Sequence, residues 1–166
     1  DHDLALALWK TGWYDARTAA GYIDDPALLT PAQMEKWCRH FHNWGIVDTV
    51  SFVLFDPTPH AFAKAAAWAG RRDEFQRRAS FVLMACLALH DKKTGDAEFR
   101  KFLPLAEKAA GDGRNFVKKG VSWALRSIGR RSPALHAATV KLAQGLADSD
   151  EAVPRSLGKE VLRELT

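Results

Sequence analysis

Cysteine is scarce in this chain: two in 166 residues, Cys38 and Cys86, far apart in sequence. Such a pair builds no disulfide framework and reads as two buried thiols of a reducing compartment. Long apolar runs are missing too. None approaches the roughly 20 residues that cross a bilayer, and no signal-peptide pattern is present, so no membrane contact and a cytoplasmic location are expected. Strand alternation is absent; the one compact apolar run, Phe52 to Phe55, lies inside a helical pattern. There is no strong charge bias. A net charge of +4 permits an acidic partner without demanding one. Cys38, His40 and His42 alternate and so scatter around a helix, and no metal or other cofactor is expected.

What remains is helical. A chain of 166 residues suits a single domain over 1–166, burying roughly 70% of its unfolded surface without a staple. Leu4 to Lys10 reads as a helix closed by Gly12, and Tyr14 to Ile23 as a second. Thr30-Pro31-Ala32-Gln33 is a helix start with a capping box, running to about Phe41. Gly45 to Phe55 and His60 to Ala69 follow. Asp73 caps Glu74 to Leu89, with Phe75, Ala79, Val82, Cys86 and Leu89 as its stripe. The exposed loop His90 to Asp96 leads to Ala97 to Ala110, which Pro104 is expected to kink. Arg114 to Arg131, Pro133 to Gly145 and Val153 to Leu165 complete an all-α chain. The chain enters a helix almost at its first residue, which suggests trimming at the N-terminus.

The helices pair. YDARTAAGYI, NWGIVDTVSFVL, FQRRASFVLMA and FVKKGVSWAL are the second members, spaced by about 30 to 41 residues, with VPRSLGKEVL a weaker fifth. That spacing is the range of HEAT-like antiparallel helical-pair repeats, which stack into a curved α-solenoid with the second helices lining its concave side. Aligned on their apolar stripes, Arg17, Asp48, Arg78 and Lys119 fall at one equivalent position.

The stretch RNFVKKGVSWALRSIGRR gives the clearest functional hint. Val117, Val121, Ala124, Leu125 and Ile128 form an apolar stripe; Asn115, Lys119, Ser122, Trp123, Arg126 and Arg130 lie opposite. An indole on a basic face suits nucleic acid, where phosphates meet cations and bases or sugars meet a flat apolar surface. Trp44 and Asp48 stand one turn apart, both away from the Ile46, Val50 and Val53 stripe. If the second helices share a concavity, Trp44, Asp48, Arg78, Lys119, Trp123 and Arg126 face one groove. Indoles there would attract a cation, and Asp48 would stabilise positive charge on a sugar or position water against it. A carboxylate about 4 Å from an oxocarbenium-like centre contributes around 4 kcal/mol at an effective dielectric of 20. That suffices only for an already activated leaving group.

NWGIVD, FQRRASFV and FVKKGVSWALR, in that order, resemble the AlkD family of DNA alkylation-repair glycosylases, and the resemblance covers most of the chain. It implies a HEAT-like-repeat fold and an enzyme acting on double-stranded DNA containing alkylated purines; a monomer is expected. The reaction implied is hydrolysis of the N-glycosidic bond of cationic N3- or N7-alkylpurines, without a base-flipping pocket. In a prokaryote it implies nucleoid association. The family's Trp and Asp at the damaged nucleotide match Trp44 and Asp48, its backbone-holding Arg matches Arg78, and its second active-site Trp matches Trp123; Lys119 and Arg126 would join in DNA binding. Family members carry further repeats ahead of the region that begins here. Simpler readings stand beside these. Asp48 could cap or pair with an Arg on the next helix, Arg78 could sit in an interhelical salt bridge, a role for which Arg77 competes, and the module could bind DNA or protein without catalysis. Trp9, Trp13, Trp37 and Trp68 read as interhelical core, His90 and His136 as surface residues.

Overall fold

Side-chain caps set where several helices begin. Asp1, Thr30, Asn43, Asp73 and Ser132 each accept a first-turn backbone N–H, which satisfies donors that the helix itself leaves orphaned. The computed structural model describes residues 1–166 and contains helices and turns only. They are α1 (His2–Lys10), α2 (Tyr14–Ile23), a 3₁₀ turn (Pro26–Leu28), α3 (Pro31–Arg39), α4 (Trp44–Val50) and a π turn (Ser51–Phe55). Then come α5 (Ala61–Trp68), α6 (Glu74–His90), α7 (Asp96–Arg100), α8 (Phe102–Ala109), α9 (Asn115–Gly129), α10 (Pro133–Ala147) and α11 (Ala152–Leu165). No helix is long and apolar enough to cross a membrane.

The pairs α1/α2, α5/α6 and α10/α11 pack as hairpins, and the second helices stack sideways in the order α2, α4, α6, α9, α11. Arg78 near the start of α6 reaches Phe116 near the start of α9, and Arg131 just past α9 reaches Ala88 near the end of α6. The stacked helices therefore run parallel, as in a helical-pair solenoid.

Four expectations need correcting. α6 is not amphipathic in its middle: every residue from Arg78 to Ala88 is buried, because helices cover it on both sides, while Leu89 is exposed. Trp13 is 76% exposed, whereas Trp9, Trp37 and Trp68 are core. Thr30 caps α3, but Gln33 turns away to donate to Asp24 Oδ2 at 2.7 Å, leaving the capping box half made. The predicted helix over 97–110 splits into α7 and α8 at Lys101, since Pro104 has no N–H for the Arg100 carbonyl.

The helix predicted over 45–55 also changes character. It widens after Val50 into the π turn, where Asp56 N donates to Ser51 O at 3.0 Å. Such turns are rare and recur beside functional groups. This one begins three residues after Asp48.

Two close contacts fix the stack. A Cβ on Gly158 would lie 2.4 Å from the Ala147 nitrogen and 2.6 Å from the Ala143 carbonyl oxygen. Backbone cannot yield as a side chain does, so Gly158→Ala should separate α10 from α11 and cost about 1–3 kcal/mol in a denaturant titration.

Glu35 on α3 ties the third pair to the second. Its carboxylate accepts from Trp68 Nε1 at 3.0 Å and Arg71 Nη2 at 2.6 Å, with Lys64 at 3.4 Å and Arg39 at 3.3 Å. Burial pushes its pKa up, but the Trp68 and Arg71 hydrogen bonds and the nearby cations outweigh this and bring it from 4.5 to about 2. A depressed folded pKa stabilises above the unfolded value and loses that contribution as pH falls through the folded one. Glu35→Gln should cost about 2–3 kcal/mol at pH 7. The gap between the two proteins should close between pH 4.5 and 2 in paired denaturation curves.

Candidate functional site

Asp48, Arg78 and Lys119 are each the fifth residue of a second helix, in α4, α6 and α9. Because those helices lie side by side and parallel, equal positions fall in a row. Arg17 is instead the fourth residue of α2. It matches Arg77, the fourth of α6: Arg17 Nε donates to Trp9 O at 3.2 Å, and Arg77 Nε to Ala69 O at 2.9 Å. Both arginines tie a second helix to the end of the first helix of their pair, so Arg17 leaves the row and Thr18 takes its place.

The centre of the row is an ion pair. Arg78 Nε donates to Asp48 Oδ1 at 3.0 Å and Nη2 to Oδ2 at 2.9 Å, while Nη1 donates to the Phe116 carbonyl at 2.8 Å. The stem of Arg78 lies against Gly120, whose ideal Cβ would be 3.6 Å from Arg78 Cγ. One guanidinium thus joins α4, α6 and α9. The two partners differ in exposure: the Arg78 side chain is 9% exposed and that of Asp48 25%. Three of the five N–H donors of Arg78 are engaged here, and the side chain is nearly buried, which leaves little of it facing a phosphate. The resemblance gave Arg78 the DNA backbone; the structure places it in the simpler role, an interhelical pair, with one N–H of each nitrogen engaged by a carboxylate or carbonyl. Asp48 keeps part of its carboxylate open to solvent.

Trp44, the first residue of α4, stands one turn before Asp48 and is 54% exposed. Asn43 starts this helix by accepting from Ile46 N at 3.0 Å. Trp123 is one turn beyond Lys119, partly buried against the core. Ser122, expected on the polar face, is buried and its hydroxyl finds no partner. Lys119 is exposed and unpaired, and Arg126 is partly buried with Nε on the Ser122 carbonyl at 3.2 Å.

Two neighbours were not singled out from sequence. Tyr14 opens α2 as Trp44 opens α4, and its hydroxyl lies 2.6 Å from the position a Gly45 Cβ would take. Phe52 follows Asp48 by one turn, is half exposed, and meets the His90 ring edge-on at 4.6 Å. The shared helix-start position of Tyr14 and Trp44 was a signal available in the repeat alignment. The thiols are not reactive candidates: burial pushes both Cys38 and Cys86 well above the usual thiol range.

Stacked parallel second helices, paired with the helices before them, define a HEAT-like-repeat protein. The chain belongs to the DNA alkylation repair enzyme family, whose model matches residues 1–155. A solved structure described as "a new family of proteins related to the HEAT-like repeat DNA glycosylases with affinity for branched DNA structures" shares the fold, with a TM-score of 0.77 and 20% sequence identity. The match covers 98% of this chain and 74% of that one. No curated protein matches the chain in sequence.

Proposed function

We propose that the protein is a DNA glycosylase that hydrolyses the N-glycosidic bond of cationic N3- and N7-alkylpurines in duplex DNA. One observation carries this reading: an exposed indole stands one turn before a carboxylate that a buried guanidinium orients, yet leaves partly open to solvent. Trp44 and Trp123 offer π faces to a cationic base. The C1′–N bond breaks with its electron pair going to the alkylated purine, which leaves neutral. Water adds to the sugar C1′ and releases a proton. Asp48 stabilises the positive sugar between those events and orients the water. Arg78 is a positioning residue, acting through Asp48. Lys119 and Arg126 attract backbone phosphates, and Tyr14 extends the aromatic edge that Trp44 begins.

The competing reading is a module that binds DNA without cutting it. The ion pair favours it, because two of the carboxylate's acceptor sites are already spent and its charge is partly neutralised. Incubation with duplex DNA carrying N7-methylguanine separates the two. The glycosylase reading expects free base above spontaneous depurination; binding with no release above background supports the module. Lys119→Ala should weaken binding to any duplex and reduce the slope of log K against log salt by about 1, whereas Arg78→Met should leave that slope unchanged.

A further inference from the structure

We propose that the cleft between α1, α2 and α3 is a second binding site, apart from the proposed glycosylase site, and that it takes a phosphomonoester. The cleft measures about 560 Å³, within the range of small-ligand pockets. Lys10, Arg17 and Lys36 line it, with Trp9, Trp37 and His40, and none of its lining residues is a carboxylate. Four other guanidiniums meet carboxylates, Arg71 at Glu35, Arg77 and Arg114 at Asp112, and Arg78 at Asp48. Arg126, Arg131 and Arg155, like Arg17, meet backbone carbonyls, but Arg17 alone among these four shares a cleft with two free lysines and two indoles. Arg17 meets no carboxylate: it donates to Trp9 O at 3.2 Å and His40 O at 3.5 Å and lies 5.0 Å over the Trp9 ring. Lys10 and Lys36 are exposed and unpaired.

Asp24, which holds the lining residues His2 and Gln33, is not available to balance them. Asp24 is buried and already accepts from His2 at 2.7 Å, Gln33 Nε2 at 2.7 Å and Asp25 N at 2.8 Å. His40 adds a neutral donor. The indole N–H of Trp9 donates to His40 Nδ1 at 2.9 Å, which places the imidazole proton on Nε2. Burial, then Arg17, then Lys36 lower the His40 pKa, so the ring stays neutral beside the three cations. Three uncompensated cations and an N–H donor around a concave, aromatic-floored site call for a compact dianion. A phosphodiester inside a duplex is flanked on both sides and too bulky to enter. A terminal phosphate, on a free nucleotide or at a strand end, fits.

Isothermal titration of the full chain at fixed ionic strength tests this with four ligands: AMP, adenosine, and one short single strand bearing either a 5′-phosphate or a 5′-hydroxyl. Each phosphorylated ligand should bind at least about tenfold more tightly than its partner, the worth of one charge-assisted hydrogen bond. Lys10→Gln with Lys36→Gln should erase that preference with the melting temperature unchanged, both side chains being exposed, while Lys119→Ala should preserve it. AMP binding more tightly than the phosphorylated strand identifies a nucleotide site; the reverse identifies a strand end. No binding, equal affinities within both pairs, or a preference that survives the double variant overturns the proposal. Release of N7-methylguanine is unaffected by these arms, so the two readings fail separately.

Discussion

Asp48→Asn should lower the rate of N7-methylguanine release by about a thousandfold, while DNA binding persists. A carboxylate about 4 Å from the cationic sugar contributes around 4 kcal/mol at an effective dielectric of 20, and each 1.4 kcal/mol is tenfold in rate. Arg78 opposes this. A guanidinium about 7 Å from the same centre costs roughly 2.4 kcal/mol, so the intact pair supplies only about 1.8 kcal/mol net. The single variant removes the attraction and keeps the repulsion, losing the full amount. The double variant Asp48→Asn with Arg78→Met removes both and should lose only about 20-fold. A double variant as inactive as the single one would show that Asp48 acts by placing water, not by its field. Undiminished release by Asp48→Asn would remove it from the mechanism.

The same pair should show an uneven stability cycle. Asp48→Asn leaves a buried guanidinium without its counter-ion and should cost about 3 kcal/mol, the low end for breaking a buried pair, since Asn still accepts one hydrogen bond. Arg78→Met should cost less, about 1 kcal/mol or below, because Asp48 can turn its open side to water while Met fills the guanidinium stem's place against Gly120. The double variant should approach the wild type. Urea titrations of the four proteins measure the cycle; a larger loss from Arg78→Met than from Asp48→Asn would mean that the carboxylate is the partner that cannot be left alone. The asymmetry follows from exposure, 9% for Arg78 and 25% for Asp48.

Helix existence and order were legible in the chain because period and caps are local. Asp73 with Glu74, Ser132 with Pro133 and the Gly12 turn act within one or two turns of backbone. The apolar stripe of α9, from Val117 to Ile128, is buried as its spacing predicts. Trp44 and Asp48 share a helix face for the same reason. The partners of those side chains were not legible. Trp13 and Trp9 are the same residue type four apart, yet one is in water and the other is stacked on Trp37 at 3.9 Å.

Arg17 aligned with Arg78 on stripes alone, but a one-residue difference in helix start sends it to another cleft. Helical spacing fixes the direction of a side chain only to within a turn. Arg78 pointed the expected way and still met Asp48 and Phe116 before any ligand could reach it. Sequence determined the helical periods, their caps and the residue types set in a row, since each is settled by backbone within a few residues. Tertiary packing decided which charges are spent on each other and which stay free, since that depends on three helices meeting to within 3 Å.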